Sequence, residues 1–340
     1  MQFEHSFFEG ETREDFFISP MMKMAWSAIL EVLEVLDDLC RSHDIPYFAC
    51  GGTLLGAIRH KGFIPWDDDL DLCILRDDYM RFLSIAEQEL PEGFVLAGPY
   101  AKETRLWDAA KTFQSRIIAD ETVYGFPACM DRFHGFPYPR IGLDLFPYDF
   151  ISDTDPSQKD RLSDLYFVHF LIDNWDNYKK AKQLRSQLSR AEKTFDIDLS
   201  GKNDPEIQQA LMLAANRRVD YLPREKADGV ANLLYGPNTA EMTEEAYQSW
   251  LRALPPVLWY QGQVRLPFEC TTVPVSTEYE KVVVNTFGPD YMTPVKFAGD
   301  HEYPFYKNQE AELKRIFKSE GIDTPIETFC VNWHNLKGGV

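Results

Sequence analysis

The sequence predicts an α+β protein: a mixed sheet flanked by helices, with a helical insertion. Three observations carry this. Over the first 155 residues, short apolar runs bounded by turn residues alternate with segments of helical periodicity. From 156 to about 221 the composition shifts to long, charged, Leu-dotted stretches without strand signals. From 251 onward mixed structure returns, with apolar turns near Pro255-Pro256. The expected organisation is a catalytic core with an N-terminal helix over 1–155, a mainly helical insertion or cap over 156–250, and a C-terminal part over 251–340 that packs back on the core.

Each element has its own signal. Ser19-Pro20 reads as an N-cap followed by a first-turn proline, and Trp26, Ile29, Leu30, Leu33 and Leu36 recur at helical spacing. An amphipathic helix over 20–42 follows, stopped by Asp44-Ile45-Pro46. Residues 47–50 form a short buried strand that runs into a Gly51-Gly52 turn and a short helix. A second strand covers 70–75, and Asp77 caps a helix over 79–90 that ends at Pro91-Glu92-Gly93. Further strands are expected at 94–96 and 107–113. Over 141–146, Ile141, Leu143 and Leu145 alternate on one face and leave Asp144 on the other. A helix over 278–286 is stopped by Gly288-Pro289.

The totals exclude several classes. The chain has 340 residues, 44% hydrophobic and 26% charged, the composition of an ordinary globular protein. A net charge of −19 argues against a nucleic-acid partner, because phosphate backbones are bound by basic surface. Six scattered cysteines without a CxxC pair read as reduced core thiols rather than disulfides or zinc ligands. The acidic start lacks the regions of a signal peptide, and the longest apolar stretch, 165–172, is broken by His169 and too short for a bilayer. The expected location is cytoplasmic, with room for peripheral contact with a membrane-linked acceptor.

Residues 51–72, GGTLLGAIRHKGFIPWDDDLDL, carry the chemistry. The Gly51-Gly52-Thr53 turn lets backbone N–H groups approach phosphate, and the helix behind it presents a terminus that favours an anion. The basic trio Arg59, His60 and Lys61 can contact a diphosphate. Four aspartates then fall within five residues: Asp67, Asp68, Asp69 and Asp71. Asp69 and Asp71, at i and i+2, leave one strand face and converge on one cation, whereas Asp68 faces the other way. Asp144 is the natural third carboxylate. Taken singly, a Gly-Gly pair is a turn and an Asp run is a solvated loop. Inward carboxylates on a core strand, however, are costly without a partner. Mg²⁺ or Mn²⁺ fits, since such ions take one or two protein carboxylates and complete their shell with phosphate and water. Lys111, an isolated cation in an apolar stretch, is a further phosphate contact. Trp66, Trp107, Tyr124, Phe133 and Trp175 are candidate cage residues for a quaternary ammonium, each also suited to a core.

The stretch 51–72 resembles the signature of the LicD family, which includes phosphocholine transferases and is related to fukutin-related proteins. Arg76-Asp77-Asp78-Tyr79, Asp144-Leu145-Phe146-Pro147-Tyr148-Asp149 and Phe287-Gly288 with Tyr291-Met292 resemble further family segments. The resemblance implies a nucleotidyltransferase-like fold of the DNA polymerase β type. It maps the family's glycine turn onto Gly51-Gly52, its paired aspartates onto Asp69 and Asp71, and its third carboxylate onto Asp144. A closing His-His pair is reduced here to His301 followed by Glu302.

The expectation that follows is metal-dependent transfer of a phospho-alcohol, phosphocholine first, from a CDP-linked donor to a glycan hydroxyl, with catalytic metal on Asp69, Asp71 and Asp144. The glycan would be lipopolysaccharide, teichoic acid or a similar cell-surface acceptor, or its precursor. Two alternatives share the motif: a nucleotidyltransferase moving NMP from NTP to a small acceptor, and a catalytically silent nucleotide-binding protein.

Overall fold

The computed structural model describes residues 1–110, 112–220, 222–296 and 303–337. The chain begins with a small antiparallel hairpin of β1 (Glu11–Arg13) and β2 (Phe16–Ile18). The long helix α1 (Pro20–Ser42) starts where the sequence signals it: the Ser19 hydroxyl accepts the Met22 N–H at 3.2 Å, and Pro20 occupies the first turn. It is not amphipathic in place. Besides its apolar residues it buries Lys23, Glu31 and Asp37, because the sheet covers one side while the N-terminal segment and a C-terminal helix cover others. Each buried charge is paired: Lys23 with Glu11, Glu31 with Arg132, and Asp37 with Arg265.

Next come β3 (Phe48–Ala49), α2 (Gly51–Arg59), β4 (Asp71–Leu75), α3 (Arg76–Glu89), β5 (Phe94–Ala97), α4 (Thr104–Ala110), β6 (Ser115–Ala119), α5 (Ala128–Arg132) and β7 (Gly142–Ile151). Two expectations are corrected here. Among the described residues of 107–113 there is no strand: 104–110 form helix α4, and the strand comes later, at 115–119. A short apolar run cannot be assigned to strand or helix by periodicity alone, and α4 is drawn into helix by packing on another helix, α9 (Asp204–Val219). Asp77 is not the cap of α3 but lies in its first turn, where the side chain accepts the Asp78 N–H at 2.8 Å.

The sheet runs β3-β4-β7-β6-β5, with β8 (Gly229–Ala231) pairing the far end of β7. β4 and β7 are parallel and the other pairs antiparallel, so the sheet is mixed. The helical stretch after β7 contains α6 (Gln158–Asp173), α7 (Trp175–Lys180), α8 (Leu184–Phe195) and α9. These pack around a core of their own that includes Trp107, Leu165, Val168 and Leu211. The fully buried Arg76 ties this part to the sheet, donating to Asp149 on β7 at 2.6 Å and to Asn216 on α9 at 3.2 Å. After β8 come α10 (Glu244–Ala253), the hairpin β9 (Gln263–Phe268) with β10 (Thr271–Ser276), α11 (Tyr279–Phe287), α12 (Glu310–Ser319) and α13 (Ile326–Lys337). Phe268, Val275, Val283 and Cys330 from these elements belong to the main core around α1. All six cysteines are free thiols, five buried and Cys270 exposed. Among the described residues no helix is long and apolar enough to cross a membrane.

Candidate active site

The sheet places two carboxylates side by side. Asp71 opens β4 and Asp144 lies near the start of β7, and the two are register partners in the parallel pair. Directly paired positions on neighbouring strands point to the same face. Asp69 enters just ahead of β4, and Asp67 and Asp68 precede it in the loop that follows α2. All five aspartates line one cleft of about 690 Å³, with Gly51, Trp66, Gln114, Arg116, Arg140 and Tyr303 among the other walls. One carboxylate oxygen from each of Asp67, Asp68 and Asp69 falls within 4.8 Å of the others.

Burial and crowding raise the proton affinity of Asp67, Asp71 and Asp144. Asp67 is pushed well above the usual carboxylate range by burial and then by the charge of Asp69. Asp71 is raised likewise, by burial and then by Asp69, Cys50 and Asp144. Burial raises Asp144 too, although the adjacent guanidinium of Arg116 and the Gln114 amide pull it back. Arg116 stands 2.8 Å from the Asp144 carboxylate, and Gln114 donates to it at 3.0 Å. A cluster of this kind is relieved by a cation bound among the carboxylates, and the oxygen-only donor set suits a hard divalent ion.

The two glycines serve the carboxylates directly. A Cβ on Gly52 would lie 2.5 Å from Oδ2 of Asp67, and one on Gly51, whose φ is +49°, would lie 3.2 Å from Oδ2 of Asp71. They open not a turn before the helix but the first turn of α2 itself. Thr53 is buried and holds the start of β4, its hydroxyl accepting the Asp71 N–H at 2.8 Å.

Other expected residues lie elsewhere. Arg59, His60 and Lys61 are absent from the cleft lining: they follow from the opposite end of α2, about 12 Å along its axis from Gly51. There Arg59 donates to His60 at 2.8 Å and to the Tyr291 carbonyl at 3.0 Å, while the Lys61 carbonyl accepts the Glu269 N–H. Lys111 and His301 fall outside the described residues. The opposite-facing orientation expected for Asp68 is corrected. Because β4 begins only at Asp71, strand alternation does not reach back to Asp68. Its buried carboxylate lines the cleft and accepts the Phe305 N–H at 2.6 Å. Of the candidate cage aromatics, Trp66 alone lines the cleft. Trp107 and Trp175 pack in the helical core, Phe133 in the main core and Tyr124 against Phe94 and Phe133.

Sequence reasoning passed over Asp67, Arg116, Arg140, Tyr303 and Phe305 as cleft residues. Asp67 was visible in the aspartate run. Arg116 was hidden by the misplaced strand, since only a strand at 115–119 sets it beside Asp144.

A mixed sheet with helices on its flanks, glycines at a helix start and carboxylates on adjacent strands is the layout of a nucleotidyltransferase-like α+β fold. Residues 44–134 match the family model described as the nucleotidyltransferase domain of LicD/FKTN/FKRP. It is 51% identical over 65 residues to the lipopolysaccharide cholinephosphotransferase LicD of Haemophilus influenzae, a stretch that is 19% of this chain and 24% of that protein. It is 39% identical over 61 residues, 18% of this chain and 20% of the relative, to an uncharacterized protein of Rickettsia typhi. The similarity thus spans about a quarter or less of these relatives' lengths.

Proposed function

We propose that this protein transfers phosphocholine from a CDP-linked donor to a hydroxyl of a cell-surface glycan, such as lipopolysaccharide or teichoic acid, or to its lipid-linked precursor. The observation that carries this reading is that the LicD-like segment supplies Asp67 to Asp71, which the sheet sets against Asp144. Asp69, Asp71 and Asp144 would hold Mg²⁺ or Mn²⁺. Such an ion, when bound, offsets phosphate charge and steadies CMP as the leaving group. Asp144 takes the proton of the attacking hydroxyl, directly or through water, and Arg116 and Gln114 fix its carboxylate in place. Trp66, Tyr303 and Phe305 offer aromatic faces to the quaternary ammonium. The reaction takes place in the cytoplasm, with peripheral contact where the acceptor is membrane-linked.

The test is incubation of purified protein with CDP-choline, Mg²⁺ and a surface-glycan acceptor. CMP release with labelled choline in the glycan supports the reading. Absence of CMP from CDP-choline, CDP-glycerol and CDP-ribitol alike would overturn it, and pyrophosphate released from an NTP would favour nucleotidyl transfer instead.

A further inference from the structure

The cleft is acidic on one side only. Asp71, Asp144 and Arg116 are consecutive register partners across β4, β7 and β6, so the three side chains form one row on the cleft face of the sheet. At about 4.8 Å per strand, Arg116 stands roughly 10 Å from Asp71 along that row. Arg140 lies at the rim, in the left-handed region with φ +65°, and is paired with Glu121 at 3.1 Å. Among the described residues these two arginines are the cations that line the cleft. The Nε atoms of both are shielded from water and each faces a carboxylate, Arg116 that of Asp144 at 2.8 Å and Arg140 that of Glu121 at 3.1 Å, with Glu312 3.9 Å from an Nη of Arg140.

A guanidinium with five donors is only partly used by one carboxylate. Planar donor pairs of this kind match phosphate oxygens. Resting on the proposed donor, we infer that Arg116, with Arg140 at the rim, forms the anion-receiving wall of the cleft and grips the diphosphate of a nucleoside diphosphate donor. The carboxylate end and the arginine end of the row then divide the diphosphate between them. Such a wall would give a chain of net charge −19 a place for an anion, although the basic trio is not among the cleft lining.

The test measures CDP binding by calorimetry with Mg²⁺ present, using cytidine and inorganic pyrophosphate as separate probes. Arg116→Gln and Arg140→Gln should each weaken CDP and pyrophosphate by about tenfold or more, the scale of a lost charge-assisted hydrogen bond, and leave cytidine binding unchanged. Arg116→Lys, which keeps the charge but not the fork, should fall between. If Arg116→Gln disturbs folding, as its melting temperature without ligand would show, Arg140→Gln carries the test. Arginine variants that hold CDP and pyrophosphate as tightly as the unaltered protein would overturn the inference. Arginine-dependent binding of pyrophosphate by a protein that ignores CDP and CDP-choline would leave the anion wall standing and overturn the donor reading.

Discussion

Asp71 and Asp144 are paired in register on the parallel strands β4 and β7, although 73 positions separate them in the chain. Two half-buried carboxylates in adjacent positions of one sheet face repel each other, and both are pushed toward protonation by desolvation and by Asp69. A fold that holds them there gives up stability to keep the two carboxylates together.

The first prediction follows from that cost. Asp71→Asn and Asp144→Asn should lower turnover on the order of a hundredfold or more, since metal-ion stabilisation contributes several kcal/mol to the barrier. In EDTA the melting temperature of Asp71→Asn should hold or rise, because one repelling charge is gone. Steady-state kinetics beside thermal melts check both halves. A variant that keeps its activity but melts early would make Asp71 a structural residue.

Gly52→Ala should impair activity more than its chemistry suggests. The added methyl would meet Asp67 at 2.5 Å, so the carboxylate or the first turn of α2 must move. Thr53→Val tests the neighbouring support: it removes the acceptor of the Asp71 N–H and leaves a donor without its partner, at a cost of about 1–3 kcal/mol. Thr53→Ser keeps the hydroxyl and should stay close to the parent in urea unfolding.

Much of this site could be read in the chain before the fold was known. Ser19-Pro20, the strand at 70–75 and the apolar alternation around Asp144 are local signals, and each produced the expected element. The partnership of Asp71 with Asp144 is not local, because it depends on which strands lie together. Arg59 and Lys61 are close to the aspartates in sequence but are not among the cleft lining, and one short helix separates them from Gly51. Arg116 was passed over because α4 was read as strand, which shifted the register of everything up to β7.

The Arg76–Asp149 pair is buried on both sides. Arg76→Met would leave Asp149 charged without a partner and should destabilise the protein by about 3–5 kcal/mol. The double variant Arg76→Met/Asp149→Leu should recover most of that loss in denaturant titration. A single variant as stable as the parent would show that Arg76 does not tie α3 and α9 to the sheet.

His169 gives stability a pH dependence. Burial lowers it to about 4, partly opposed by a backbone hydrogen bond with Leu234, and its ring stacks on Phe113 at 4.2 Å. The folded protein therefore binds this proton less readily than the unfolded chain does. Above pH 6.5 the group costs nothing; as the pH falls from 6.5 toward 4 stability is lost, because unfolding takes up the proton. His169→Leu should flatten the melting temperature over that interval, and an unchanged slope would contradict the assignment. Phe113 adjoins Thr112 and Gln114 of the cleft, so the loosening should begin there.

The central claim is that the aspartate cleft moves a phospho-alcohol with the help of a divalent ion. The most direct measurement is CMP released from CDP-choline in the presence of a surface-glycan acceptor, with Mg²⁺ and with EDTA, for the parent protein and Asp71→Asn. The parent should release CMP with Mg²⁺ and not in EDTA, and Asp71→Asn should release none under either condition. Equal CMP release by the parent and Asp71→Asn, or release indifferent to EDTA, would contradict it.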